Sequence, residues 1–481
     1  MVPGRRMRPP TIGHNARMRI TPCGAVGEVT GSGYLVETAT ARVLVDFGSF
    51  QGTADAPERN RSLGPVDPGA LDAIVLTHAH TDHTGRLPLL AGRGCVAPLW
   101  GTAATLDLTM LLLRDAAGHA AEDLARLNRR RERAGQPILR GPFDREDIER
   151  LESLMRPVAY GEVQTVASGV TIRFRDNGHI LGSTNIEMTL REGDRTRVVV
   201  FSGDIGPRGS PILRDPDPPA AADLLFLEST YGDRDHVPLA ETVARFHGLL
   251  RDALWQHKTV IIPAFAIGRT QSLLYHIAEG IRSGALPPFP IYLDSPMASK
   301  ATATYRRHQD LYDREARKLN ADDRFREAMR HLVEVDSVDA SKRLNDSQES
   351  CVIIAGGGMC EGGRVVHHLK HHLSSSRCEV FVVGYMAEGT LGRELVNGAR
   401  QVVIDRDAVA VRAAIRTLNG FSAHAGQTEL LDWLGALAAS RPRVVLTHGE
   451  NPQRAALAAK ARERFGLACE LPMPGDVIDL A

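Results

Sequence analysis

The segment His78-Ala79-His80-Thr81-Asp82-His83, which follows the apolar run at residues 74–77, carries the most information about how this chain folds. Three imidazoles and one carboxylate within six residues supply the nitrogen and oxygen donors that zinc favours in proteins. The spacing is not that of the helical His-Glu-x-x-His signature. The donors lie instead where a strand is predicted to end. We interpret the segment as a ligand set for two metal ions.

Four more short apolar runs end in residues able to bind metal or to move protons: residues 43–45 before Asp46, 198–201 towards Asp204, 224–227 before Glu228, and 444–447 before His448. Continuous apolar runs of this length suit strands that are buried on both faces. In layered α/β folds, functional sites gather beyond the carboxyl ends of such strands. Any buried strand must end in something polar, but five runs with this ending predict one shared site.

Composition narrows the class of protein. A chain of 481 residues should hold two or more domains, and each is long enough to bury a core. Lys plus Arg and Asp plus Glu are balanced at 58 each, which argues against a basic protein that coats nucleic acid indiscriminately. The six cysteines form no Cys-x-x-Cys pair and are predicted to be reduced thiols.

The sequence predicts a cytoplasmic protein without membrane contact. It has no apolar stretch of membrane-spanning length, and residues 1–17 are basic without an apolar signal core. We expect these residues to form a flexible extension or to lie upstream of the natural start site. There is no G-x-x-x-x-G-K-[ST] segment, so no nucleotide cofactor is expected.

Strand-like and helical segments alternate along the chain, which indicates an α/β fold. One alternating region runs to about residue 228, a second follows residue 231, and the last portion returns to a metal-type histidine at a strand end. This order predicts one domain inserted within another. The Arg-rich segment 122–133 is predicted to be a solvated helical arm rather than a substrate grip.

From Met18 onward the chain resembles the β-CASP branch of the metallo-β-lactamase superfamily, the zinc nucleases that process RNA, and in particular compact bacterial members similar to the cleavage and polyadenylation endonuclease. The motifs that carry the resemblance are residues 27–32 (GEVTGS), 46–52 (DFGSFQG), 78–83 (HAHTDH), 178–183 (GHILGS), 201–204 (FSGD), 228–232 (ESTYG), 263–271 (PAFAIGRTQ), 294–298 (DSPMA), 358–359 (GM), 362–364 (GGR), 384–385 (GY), 421–425 (FSAHA) and 447–450 (THGE).

The resemblance implies a metallo-β-lactamase αββα sandwich with an inserted α/β β-CASP domain. On this reading the sandwich comprises residues 18–228 and 413–481, and the insertion comprises residues 229–412. It also implies two Zn²⁺ per chain. One zinc would be held by His78, His80 and His179, and the other by Asp82, His83 and His448. Asp204 would bridge them.

Further roles follow from the same resemblance. Asp46 would be an outer carboxylate that orients a ligand imidazole, or else only a turn cap. His424 would protonate the leaving 3′-oxygen, and Glu228 would orient it as part of a general acid pair. Asp82 would be a catalytic residue as well as a metal ligand.

Read without the family, these residues leave other interpretations open. A lone histidine between two alanines, such as His424, is more often structural. The six-residue cluster could be a structural zinc site, although such sites are usually closed and rich in cysteine, and no cysteine lies near it in sequence.

Small-residue loops and Arg side chains in the inserted region are predicted to bind phosphate groups without reading sequence. The candidates are Arg269, Ser295, Gly358, Gly363 and Arg364. Any one Arg could instead form a surface salt bridge. The histidines 367, 368, 371 and 372 are expected to line a polar helix face rather than a third metal site.

Two positions depart from the family pattern. Gly426 stands where Asp is common, which predicts a looser contact to His424. Gly357 stands where Ser is common, which predicts one fewer hydroxyl donor to a phosphate.

The predicted function is a zinc-dependent ribonuclease that hydrolyses single-stranded RNA as an endonuclease, with or without 5′-exonuclease activity. The alternatives are a metallo-hydrolase of small esters or lactams, and an inactive RNA-binding scaffold. Assembly as a homodimer stays open.

Overall fold

The computed structural model describes residues 18–346 and 349–480. The expected extension, residues 1–17, lies outside these ranges. The strands are β1 (Met18–Pro22), β2 (Tyr34–Glu37), β3 (Arg42–Val45), β4 (Ala73–Val75), β5 (Leu99–Gly101), β6 (Met155–Pro157), β7 (Val163–Ala167), β8 (Val170–Asp176), β9 (Thr184–Glu192), β10 (Arg195–Phe201), β11 (Leu224–Glu228), β12 (Thr259–Ala264), β13 (Ile291–Asp294), β14 (Leu332–Glu334), β15 (Cys351–Gly356), β16 (Cys378–Val382), β17 (Gln401–Ile404), β18 (Asp407–Ala410), β19 (Ala414–Thr417), β20 (Arg443–Thr447), β21 (Cys469–Glu470) and β22 (Ile478–Leu480).

The α-helices are α1 (Ala56–Arg59), α2 (Thr81–Thr84), α3 (Leu87–Gly92), α4 (Ala103–Arg133), α5 (Arg145–Ser153), α6 (Leu239–Trp255), α7 (Arg269–Ser283), α8 (Pro296–Arg307), α9 (Arg314–Asn320), α10 (Asp323–Ala328), α11 (Val338–Asp346), α12 (Arg364–His372), α13 (Leu391–Val396), α14 (Gln427–Leu437) and α15 (Asn451–Phe465). Within the described ranges, no helix is both long enough and apolar enough to cross a membrane.

Two seven-stranded sheets pack face to face, in the orders β22-β1-β2-β3-β4-β5-β6 and β21-β20-β11-β10-β9-β8-β7. Strand β3 shows why its run is apolar throughout. Val43 and Val45 face the opposite sheet, whereas Leu44 faces the helices outside. Helices α3 and α5 cover the outer face of the first sheet, and α14 and α15 cover that of the second. The predicted αββα sandwich is confirmed.

A third sheet has the order β14-β13-β15-β12-β16-β19, and its paired strands are parallel. Helices α6, α7 and α8 pack on one face, and α12 and α13 on the other. This sheet lies in sequence between β11 and β20, which pair directly in the second sheet through Leu224 and Arg443. The third sheet is therefore an insertion between two neighbouring strands. Its last strand, β19, lies just past residue 412, and the exact domain boundaries stay a prediction.

Candidate active site

Five strands deliver the predicted residues to one end of the sandwich. Asp46 follows β3, Glu228 ends β11, and His448 follows β20. His78 and Asp204 follow β4 and β10 after short turns. Two loops add the rest, because His179 lies between β8 and β9, and His424 lies between β19 and α14. The carboxyl ends of parallel neighbours such as β10, β11 and β20 meet at one edge, which is why residues far apart in sequence come together.

The first group of donors consists of His78, His80, His179 and Asp204, whose nearest donor atoms lie within 4.8 Å of one another. His80 Nδ1 is 3.1 Å from His78 Nε2 and 3.0 Å from His179 Nε2. Asp204 Oδ2 is 3.5 Å from the Nε2 atoms of both His78 and His179. Three imidazoles and one carboxylate oxygen therefore converge on a single point.

The second group consists of Asp82, His83, Asp204 and His448. His83 Nε2 lies 3.1 Å from His448 Nε2 and 3.3 Å from Asp204 Oδ1. His448 Nε2 lies 3.6 Å from Asp82 Oδ2. Asp204 thus belongs to both groups, with Oδ2 facing the first and Oδ1 facing the second.

The chemistry of these donors fits metal ions. Among the described residues, Asp204 Oδ1 is buried and has no hydrogen-bond partner, a costly state for a carboxylate oxygen unless a cation meets it. The neighbouring imidazoles hold the pKa of Asp204 well below its usual range although burial opposes this, so the group is ionised. Burial lowers the pKa of His80 to about 4, which leaves a neutral ring with a lone pair for a metal.

Asp46 lies behind the second group and is fully buried. Its Oδ1 accepts a hydrogen bond from Thr77 N at 2.8 Å, and its Oδ2 accepts one from Thr77 Oγ1 at 2.7 Å. His83 Nδ1 is 2.7 Å from the same Oδ2, so the ring donates from Nδ1 and presents Nε2 to the donor group. Asp46 also holds a left-handed backbone, with φ of 55°. Strain of this kind is of order 1 kcal/mol and collects at functional sites.

Sequence reasoning missed the partners that orient the other imidazoles. His179 Nδ1 donates to the main-chain oxygen of Ala423 at 2.8 Å. His448 Nδ1 lies 3.1 Å from Thr230 Oγ1. Thr230 stands in the ESTYG motif and could have been proposed from it. A main-chain acceptor such as Ala423 leaves no residue-type signal in a sequence.

His424 and Glu228 lie next to the donor groups. His424 Nδ1 is 3.3 Å from Glu228 Oε1, and its Nε2 is 3.9 Å from Asp204 Oδ2. Glu228 is buried, and its Oε1 also accepts from Ile205 N at 2.6 Å. Burial alone would lower the pKa of His424, but Glu228 and Asp204 outweigh it and raise the pKa to about 9. The imidazolium can therefore donate a proton from Nε2, which faces the site.

The predicted phosphate-binding residues divide into two places. Arg269 lines a cavity of about 320 Å³ beside His179, and its Nη1 donates to Val383 O at 2.7 Å. The other four surround Gly356 and Asp294 at the carboxyl ends of β13 and β15. Ser295 Oγ accepts from Ala298 N at 3.2 Å and so caps α8, and Arg364 is ion-paired with Asp294.

The glycines of this second place allow close backbone contacts. A Cβ on Gly363 would lie 2.5 Å from Gly356 O, and one on Gly358 would lie 2.9 Å from the ring of Phe265. Gly357 has φ of +116°, and a Cβ there would lie 2.1 Å from Gly362 O. The loop as folded therefore has no room for the serine that the family often carries at position 357.

One histidine of α12 is not on a polar surface. His368 is fully buried, with Nε2 at 2.6 Å from Asp294 Oδ2 and Nδ1 at 2.7 Å from Asn345 Oδ1. The prediction of a polar helix face is wrong for this residue, because a buried carboxylate one strand away supplies its partner. The periodicity of α12 alone could not show that.

Sandwich, insertion and donor groups together define a metal-dependent hydrolase of the metallo-β-lactamase type. Three family descriptions match the chain: the metallo-beta-lactamase superfamily over residues 26–254, the Beta-Casp domain over 270–395, and the Zn-dependent metallo-hydrolase RNA specificity domain over 408–472. The chain belongs to the β-CASP branch of the metallo-β-lactamase superfamily, as the resemblance implied.

Named relatives agree with this membership. Ribonuclease TTHA0252 of Thermus thermophilus is 41% identical over 443 residues, which cover 92% of this chain and 95% of that protein. Transcription termination factor FttA of Pyrococcus abyssi is 30% identical over 487 residues, covering 96% of this chain and 71% of that protein. A crystal structure of a protein of unknown function from Enterococcus faecalis V583 matches with a TM-score of 0.54 at 12% identity, covering 97% of this chain and 100% of that one, and shows the same fold.

Proposed function

We propose that this chain is a zinc-dependent ribonuclease that hydrolyses phosphodiester bonds of single-stranded RNA as an endonuclease, with or without 5′-exonuclease activity. The observation that carries the proposal is the position of Asp204, which faces one donor group with each oxygen and lies beside the His424 and Glu228 pair. The relative named as a ribonuclease and the RNA specificity domain support RNA as the substrate.

The proposal assigns two zinc ions per chain. One ion would be held by His78, His80 and His179. The other would be held by Asp82, His83 and His448, and Asp204 would be a ligand of both. When bound, such a pair of ions activates water and neutralises charge on a phosphodiester. Other residues of the chain orient the ligand imidazoles by hydrogen bonds. Asp46 orients His83, the main-chain oxygen of Ala423 orients His179, and Thr230 orients His448.

His424 acts as the general acid in this proposal. Its Nδ1 is directed at Glu228, so the proton on Nε2 points towards the reacting centre. Transfer of that proton to the leaving 3′-oxygen avoids the release of an unstabilised alkoxide, which is worth about 10²- to 10⁴-fold in rate. Glu228 orients the ring and stabilises its charge.

The substrate would lie between the sandwich and the inserted sheet. Arg269 stands closest to the donor groups, on the wall of the cavity that His179 also lines. Ser295, Gly358, Gly363 and Arg364 are proposed to meet phosphates further along the strand, with main-chain groups of the glycine loop as donors. We propose no part for a nucleotide cofactor, and dimerisation stays a prediction.

The test is a denaturing-gel time course with 5′-monophosphorylated, 3′-labelled single-stranded RNA, a DNA of matched sequence, and the Asp204→Ala variant beside the wild type. Internal fragments or loss of the 5′ end from RNA, absent with the variant, is the expected result. Intact RNA with zinc-replete protein would overturn the proposal in favour of the small-molecule hydrolase or the scaffold.

A further inference from the structure

The loop that follows Glu228 is hydrogen-bonded to the first turn of α14, the helix that begins three residues after His424. Gln427 N donates to Arg234 O at 3.0 Å, and Gln427 Nε2 donates to Gly232 O at 2.6 Å. The two members of the general acid pair thus belong to segments that are tied together a few residues away from the pair itself.

Asp235 supplies two further hydrogen bonds between these segments. Its Oδ1 accepts from Thr428 N at 2.8 Å, and its Oδ2 accepts from Thr428 Oγ1 at 2.6 Å. Thr428 is the second residue of α14, so its N–H is one of those that a helix cannot satisfy from within. A capping side chain normally comes from the residue before the helix. Here that residue is Gly426, which has none, and the cap comes from another loop.

The side chain and the backbone of Asp235 together occupy the space that a side chain at position 426 would need. The backbone at Gly426 is extended, with φ of −76° and ψ of 174°, and any residue could adopt it. A Cβ there, however, would lie 2.8 Å from Asp235 Oδ1 and 3.1 Å from Asp235 Cα. Glycine at 426 therefore lets the Asp235 segment lie this close to α14, and a side chain at 426 would meet both the carboxylate and the backbone of that segment.

Packing fixes the two ends of the His424 segment, because Phe421 and Ala425 are buried and Ala425 N donates to Ile205 O at 2.7 Å. The residues between these ends are only partly buried. Residues 420–423 face the cavity of about 320 Å³, on a wall that includes Asp235 and Thr428. The contact of His424 Nδ1 with Glu228 Oε1 is 3.3 Å, longer than a strong charge-assisted hydrogen bond. Small movements of either segment would open it.

We propose that Asp235 is a positioning residue that holds His424 in register with Glu228 by capping α14 from the neighbouring loop. This inference rests on the proposed function, because it concerns the general acid of that reaction. Both oxygens of the Asp235 carboxylate are engaged by Thr428, so the residue acts on His424 through α14.

The first test compares two substrates. Asp235→Ala should lower kcat on RNA by about 10-fold, since slight misplacement of a catalytic group is costly, with KM and zinc content unchanged. On bis(4-nitrophenyl) phosphate, whose leaving group needs no proton, kcat should stay at the wild-type value. A purely structural role would lower both rates alike. Asp233→Ala is the matched control, because that carboxylate contacts Arg234 and Gln453 rather than α14.

The second test is a double-mutant cycle. Gly426→Asp alone should also lower kcat on RNA, because two carboxylates would then collide at one cap. The double variant Asp235→Ala/Gly426→Asp should turn over RNA faster than Gly426→Asp alone, because the contact with the carboxylate is gone while the contact with Cα of residue 235 remains. The melting temperatures of the four proteins should show the same coupling without any substrate.

The outcomes separate the two proposals. If the wild type is active, three results would overturn the role of Asp235 alone. They are an unchanged kcat of Asp235→Ala on RNA, equal losses of kcat on both substrates, and a double variant with a kcat no higher than that of the worse single variant. A wild type that does not cleave RNA would overturn the ribonuclease itself and, with it, the general acid that Asp235 is meant to position, whatever the melting temperatures show.

Discussion

Two buried aspartates at strand ends, Asp204 in the sandwich and Asp294 in the insertion, have opposite surroundings. Asp294 is closed, since it accepts from Ser341 Oγ at 2.5 Å, lies 2.6 Å from His368 Nε2 and is ion-paired with Arg364. Asp204 is open: imidazoles lie 3.3 to 3.5 Å away, and one oxygen has no partner among the described residues. A carboxylate with both oxygens engaged by protein groups holds a fold together. One that is ionised, buried and unsatisfied is arranged for a cation.

The largest expected effect is on the open side. Asp204→Ala should remove zinc and RNA cleavage together, a loss beyond about 10⁴-fold, because the group serves both metal sites and the whole two-metal mechanism depends on them. Circular dichroism should show an intact fold. Cleavage of RNA by a zinc-free Asp204→Ala protein would break the comparison.

On the closed side the expected loss is in stability. Asp294→Ala takes the ion-pair partner from the partly exposed Arg364 and the acceptor from the fully buried His368, which should cost about 3 kcal/mol in the free energy of unfolding. Urea unfolding of zinc-loaded protein measures it. Ser341→Ala is the milder control, expected to cost about 1 kcal/mol. An Asp294→Ala variant as stable as the wild type would show that Asp294 does not stabilise the fold.

His424→Ala should keep zinc content normal and lower turnover on RNA by about 10²-fold or more, as expected for loss of a general acid. Bis(4-nitrophenyl) phosphate should be hydrolysed at nearly the wild-type rate. Unchanged turnover on RNA would refute the assignment.

The smallest effect concerns an orienting group. Thr230→Val removes the hydroxyl beside His448 Nδ1 and should weaken zinc binding by about 10-fold, the lower range for groups behind a metal ligand. Competition with a chromophoric chelator measures this. Val in place of Thr nearly preserves shape, so unaltered affinity would show that the hydroxyl does not orient the ring.

The sequence predicted the sandwich and the metal-type residues because both follow from local pattern. Runs such as residues 43–45 are apolar on both faces, and each ends in its polar residue at the same edge. The contacts between segments were less visible. Gly426 suggested a looser hold on His424, yet Asp235, 191 positions earlier in the chain, fills that space. That a residue from another loop caps α14 in place of residue 426 can be seen only in the three-dimensional structure.

In the insertion, the contacts of Arg364 and His368 were likewise not predictable from the sequence. Both have side chains that a sequence assigns to a surface or to a phosphate, and in the structure both meet the buried Asp294. Nothing in the spacing of α12 reports that a neighbouring strand ends in a buried carboxylate. The role of Arg364 towards phosphate accordingly stays a prediction.

The most direct test of the central claim is zinc counting by native mass spectrometry on wild type, Asp204→Ala and Ser341→Ala, with RNA cleavage assayed on the same samples. The account predicts two zinc ions and RNA cleavage for wild type and Ser341→Ala, and loss of both for Asp204→Ala. Two retained zinc ions in Asp204→Ala, or a zinc-replete wild type that leaves RNA intact, would contradict it.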